Sequence, residues 1–97
     1  MTNLIQTGLS LDNKLIIGNV FRFHETHGIP LDILFNCLID RNSIPDWISF
    51  YNEAVAAGMQ HIRIISKLSE AIDDSFGTEY RTKIISKLNM IFNKSAV

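Results

Sequence analysis

One cysteine, two prolines and five scattered glycines stand in a chain of 97 residues. With Cys37 alone, no intramolecular disulfide can form, and the disulfide-stapled class of small secreted domains is excluded. The single glycines form no phosphate-cradling loop. No apolar run approaches the ~20 residues that a membrane-spanning helix needs. Cations are not in surplus: nine Lys and Arg face ten Asp and Glu, for a net charge of −1. That balance weighs against sequence-independent nucleic-acid binding, which displaces counterions with an excess of basic side chains. The start Met1–Gln6 has neither the basic residues nor the long apolar run of a signal peptide. A cytoplasmic protein in a reducing setting is expected.

Hydrophobic residues make up 46% of the chain, and mean hydropathy is +0.13. Such a composition folds rather than staying disordered. A domain this short buries little more than ~60% of its unfolded surface. Apolar surface is therefore expected to remain outside for a partner or a second copy to cover.

Three-four spacing of apolar residues predicts a compact all-α bundle of about five short helices, one domain over 1–97. Residues 1–9 read as a loose arm and 94–97 as a frayed tail. Ser10 is the expected cap of a first helix, with Leu11, Leu15, Ile16, Val20 and Phe23 on its buried stripe. Gly28 and Pro30 end it. A second helix buries Leu31, Leu34, Phe35, Leu38 and Ile39, and Asn42 closes it in a left-handed conformation. Ser43-Ile44-Pro45-Asp46 reads as a cap, first-turn proline and acidic third residue. The third helix then carries Trp47, Phe50, Tyr51, Ala54 and Val55. A fourth, about 60–75, places Ile62, Ile65, Leu68 and Ile72 on one face. The last carries Tyr80, Ile84, Leu88, Ile91 and Phe92. No hairpin is expected, because Ile16-Ile17 fits the helical period.

His24 and His27 lie three apart beside Glu25, with His61, Asp32 or Glu53 as further ligand candidates. The zinc-protease signature needs two histidines four apart, so no metal is assigned. One histidine is expected to cap the helix end and the other to lie on the surface. Cys37, in mid-helix without an N-terminal dipole, is expected to be a buried thiol. Arg41–Ile44 has the length of a helix-turn-helix turn, but the following Pro45-Asp46-Trp47-Ile48-Ser49 carries no base where DNA would lie. The serines lack a nucleophile-elbow setting. No catalytic set, cofactor or small-molecule substrate is indicated.

The segment Phe21-Arg22-Phe23-His24-Glu25-Thr26-His27-Gly28-Ile29-Pro30-Leu31-Asp32 resembles a stretch of alanyl-tRNA synthetases that follows their catalytic core. Phe21, Arg22, Thr26, Gly28, Pro30, Leu31 and Asp32 match, while Glu25 replaces an aspartate and His24 and His27 replace tyrosines. The catalytic motifs for ATP and alanine, and the editing domain, have no counterpart, so aminoacylation is excluded. With Asp46-Trp47 and a helical remainder, the chain is more similar to short phage proteins labelled alanyl-tRNA-synthetase-like. The resemblance implies a viral or mobile-element origin, which makes the host cytoplasm the expected compartment. We expect a non-enzymatic protein that binds and modulates a host protein through His24, His27, Trp47, Phe50 and Tyr51. A tRNA- or RNA-binding module is the alternative, and a homodimer with an architectural role is a third.

Overall fold

The computed structural model describes residues 3–95. The chain order is β1 (Ile5–Leu9), β2 (Leu15–Gly18), α1 (Val20–His27), α2 (Leu31–Asp40), β3 (Ser43–Pro45), α3 (Trp47–Ala56), α4 (His61–Phe76) and α5 (Thr78–Ser95). This corrects the all-α expectation: a three-stranded mixed sheet, ordered β1-β2-β3, accompanies the five helices in an α+β fold. The expected arm contributes β1, and the expected first helix is cut down to its last eight residues. Helix α5 runs through Ser95, and the remaining two residues of the expected tail lie outside the described residues.

The hairpin forms because Ser10-Leu11-Asp12-Asn13-Lys14 is a self-sufficient turn. The Asn13 N–H donates to the Ser10 carbonyl at 3.0 Å, and the Ser10 N–H to the Lys14 carbonyl at 2.8 Å. Asn13 takes a left-handed φ of 65°, the geometry of a three-residue hairpin loop. The Ser10 hydroxyl accepts from the Lys14 N–H and donates to Asp12, so the expected helix cap serves as a turn residue instead. The β-branched pair Ile16-Ile17 then lies in the extended conformation that suits it.

Strands β1 and β2 pair antiparallel, with a bulge between Gln6 and Gly8. Strands β2 and β3 pair parallel, Leu15 to Ser43 and Ile17 to Pro45, with α1 and α2 forming the crossover. Ser43-Ile44-Pro45 is therefore a strand, and the helix-turn-helix turn does not exist. Its proline sits on an edge strand, where a missing donor is tolerated. Asp46 caps α3 in place of Ser43, its Oδ1 accepting from the Ser49 N–H at 3.1 Å. Its Oδ2 accepts from the Thr7 hydroxyl at 3.0 Å, which ties the β1 bulge to the start of α3.

Leu31, Leu34, Phe35 and Leu38 of α2 pack against Ile64, Leu68, Ala71 and Ile72 of α4, with Ile84 and Leu88 of α5 closing the core. The α4 stripe is turned from the expected one. Ile64 is buried, while Ile62 is exposed and Ile65 half-buried. A run of rings crosses the interior: Phe21 on Phe50 at 5.3 Å, Phe35 on Trp47 at 5.3 Å and Trp47 on Phe76 at 5.8 Å, all edge-to-face. Such pairs each add ~0.5–1.5 kcal/mol beyond their buried area. The connections close as their residues suggest, with Gly28 at φ 66° and Asn42 at φ 54°.

Candidate functional site

Of the five residues expected on a docking face, three are in the core. Trp47, Phe50 and Tyr51 are only 5%, 1% and 6% exposed, so their helix face is turned inward; Phe50 and Tyr51 serve the core alone, and Trp47 shows only an edge at the surface. Their spacing marks a packed face, and period alone does not say whether protein or solvent lies opposite.

His24 and His27 end α1. The His24 Nδ1–H donates to the Ile29 carbonyl at 2.5 Å, and the Gly28 N–H donates to the His24 carbonyl at 3.0 Å. The His24 ring thus staples the turn into α2, half-buried beside a shallow cleft of about 330 Å³ that Asp32, Lys67, Glu70 and Asp74 also line. His27 is exposed, with its ring 4.3 Å from that of Phe23. Among the described residues, no three His, Cys, Asp or Glu side chains converge as a metal site would require. Cys37 is exposed, contrary to expectation: at 100° per residue its position on α2 falls outside the arc that Leu31, Leu34, Phe35 and Leu38 bury.

A polar network that the sequence did not reveal lies where α3, α4 and α5 meet. His61 Nε2 faces Asn89 Oδ1 at 2.9 Å, and its Nδ1 faces the Tyr51 hydroxyl at 2.8 Å. An amide oxygen only accepts, so Nε2 carries a proton. In the neutral ring Nδ1 then accepts from the Tyr51 O–H. The ring stacks on Phe92 with centroids 3.8 Å apart and 14° between planes. Burial pushes the Tyr51 hydroxyl pKa up. Both ring nitrogens are committed to joining α3, α4 and α5, which is a structural role.

The surface feature that best fits recognition is a groove of about 470 Å³ between the hairpin tip and α5. Ile44, Trp47 and Ile84 supply apolar floor, while Lys14, Lys83 and Lys87 supply charge. Leu11 stands at the rim, fully exposed at the tip of the hairpin. Three of the nine cationic residues thus line one groove, against a single carboxylate, Asp12. That carboxylate is held below its ordinary pKa, first by the Ser10 hydroxyl and further by Lys14 and Lys83. In the groove wall the Trp47 indole N–H donates to the Tyr80 hydroxyl at 3.0 Å. Burial raises the Tyr80 pKa, and the Asp12 charge adds to the rise.

Sequence periodicity places Leu11 in a helix stripe. The only local signal for the groove was the turn chemistry of Ser10–Lys14. Comparison of the chain with protein-family models, curated proteins and solved structures finds no match, so what the site does is argued from its residues.

Proposed function

We propose that the protein is a non-catalytic interaction module that docks onto a partner protein. The phage-like segment Phe21–Asp32 makes a host protein the expected partner. The observation that carries the reading is Leu11: a fully exposed leucine at the apex of a hydrogen-bonded turn, beside an apolar floor. A turn whose backbone is already fixed by hydrogen bonds loses little freedom on binding, so the apolar area of its exposed leucine is covered at low ordering cost. His61 supports the same reading, because both its ring nitrogens are spent on joining helices, and His24 likewise spends its Nδ1–H on the Ile29 carbonyl. His24 and His27 lie at the α1–α2 junction, and the docking face is assigned instead to the hairpin tip and α5.

The test places a photo-crosslinking benzoylphenylalanine at Leu11 in the full chain, expressed in bacterial cells. The expected result is an adduct with one protein of defined mass, insensitive to ribonuclease. A ribonuclease-sensitive adduct would overturn the reading in favour of RNA. An adduct of twice the chain mass would overturn it in favour of self-association, and no adduct at all would also sink it.

A further inference from the structure

The groove has a chemistry of its own beyond the exposed leucine. Lys83 and Lys87 are four apart on α5, so their ammonium groups rise from one face about 6 Å apart at the base. Among the described residues neither makes an ion pair within 4.0 Å, whereas the Lys14 ammonium lies 3.9 Å from Asp12. Tyr80 completes the set. Its oxygen accepts from the Trp47 N–H, and its own proton has no acceptor among the described residues. A phenol whose oxygen is already engaged as acceptor is poised as a donor. Two ammonium groups outside any close ion pair among the described residues, Lys83 within reach of the Asp12 charge, and one oriented O–H therefore border a floor of Ile44, Trp47 and Ile84.

That arrangement discriminates between anionic partners. Single-stranded nucleic acid is held by stacking bases on open ring faces. Here the indole of Trp47 is buried, with Phe35 and Phe76 against it edge-to-face. Tyr80 is already stacked on Phe76, centroids 4.8 Å apart at 20°. The groove thus offers a base no exposed indole, and one face of its half-buried phenol is already taken. An apolar side chain flanked by carboxylates matches the floor and the donors together. We propose that this groove binds an acidic peptide segment of the partner protein, seating one apolar side chain on Ile44 and Ile84 while its carboxylates accept from Lys83, Lys87 and the Tyr80 hydroxyl. The proposal rests on the docking function above and names the chemistry that the docked partner must carry. The chain as a whole is slightly acidic, so attraction is confined to the groove and screened within the ~8 Å Debye length of physiological salt.

Trp47 is the sole tryptophan and lines the groove, so its fluorescence reports occupancy. The full chain is titrated with a capped pentapeptide bearing a central leucine between two pairs of acidic residues, and with its uncharged amide twin. Calorimetry runs alongside, in case the indole signal stays silent. The expected result is saturable binding of the acidic peptide and none of the twin. K83Q/K87Q should weaken binding at least ~10-fold and Y80F ~3-fold, as charge-assisted hydrogen bonds are lost. Both substitutions are on accessible or half-buried side chains, and unchanged circular dichroism confirms folding of the variants. Equal binding of the twin would overturn the proposal. So would tighter binding of a uridylate decamer with the same lysine dependence, or silence to both probes by both methods. If the acidic peptide fails while Leu11 still crosslinks to a protein, the groove chemistry falls and the docking function stands. If the crosslink is lost too, both fall.

Discussion

Gly18→Ala probes the junction on which the sheet depends. The Gly18 backbone is outside the left-handed region, so alanine meets no conformational barrier there. The obstacle is a side chain: a Cβ on Gly18 would lie 2.7 Å from Thr7 Cγ2, with the next contact at an ordinary 3.6 Å from Ile5. Thr7 occupies the bulge of β1 and donates its hydroxyl to Asp46. To clear the new methyl, Thr7 must turn about χ1, and the hydroxyl leaves Asp46 with it. The lost hydrogen bond is worth ~1 kcal/mol, and residual off-rotamer strain adds ~0.5 kcal/mol. For a domain of this length, ~1.5 kcal/mol lowers Tm by roughly 6–12 °C. Thr7→Ser removes the clashing methyl and keeps the hydroxyl. In that background Gly18→Ala should cost under ~0.5 kcal/mol, giving a coupling energy of ~1 kcal/mol across the double-mutant cycle. Thermal unfolding of the four proteins at 222 nm measures it. Equal destabilisation in both backgrounds, or none with Thr7 present, would refute the chain of contacts from Gly18 through Thr7 to the α3 cap.

Two further outcomes are expected. His61→Ala deletes the acceptor of the buried Tyr51 hydroxyl and the ring stacked on Phe92, and should lower stability by ~2–4 kcal/mol in urea unfolding, whereas Tyr51→Phe should cost only ~1 kcal/mol; a His61→Ala cost no greater than that of Tyr51→Phe would contradict the network. The hydroxyl pKa values of Tyr51 and Tyr80 are raised above the ordinary 10.0 by burial. A raised folded-state value means the stability they contribute is whole below pH 10 and is lost as pH climbs through the folded values. Absorbance at 295 nm should therefore show tyrosinate forming at higher pH in native protein than in urea, and a Tyr51→Phe, Tyr80→Phe variant should lose less stability on the alkaline side.

The legible part of the fold is what local chemistry decides. Gly28, Asn42 and Gly77 end or separate helices by taking positive φ, and of the expected α2 stripe Leu31, Leu34, Phe35 and Leu38 are buried while Ile39, at its edge, is exposed. The sheet was illegible because two local signals pointed the wrong way. Ile16-Ile17 fits a helical period as well as a strand, and Ser43-Ile44-Pro45-Asp46 has the residues of a helix cap. Both were overridden by pairing across the crossover, where the Asp46 N–H donates to the Ile17 carbonyl at 2.7 Å and the Leu15 N–H to the Asn42 carbonyl at 3.1 Å. No window of sequence contains both ends of those bonds. The same holds for His61, whose partners come from Tyr51 and Asn89, on the helices to either side. His24 was more nearly readable, since its partner Ile29 is five residues away.

The misread strand also moves the proposed docking face. If residues 10–27 formed a single helix, Leu11 would lie on its buried stripe, and the apolar surplus would have to be sought among the aromatics of α3. Folding 5–18 as a hairpin reverses both assignments. It carries Leu11 out to the tip and sets Lys14 opposite α5, and β3 brings Ile44 to the groove floor, leaving Trp47 to serve the core and one wall together. The groove therefore exists only if the sheet does. Replacing Asn13 with valine, which disfavours the left-handed φ of 65° that closes the turn, should disturb the groove without touching any residue lining it.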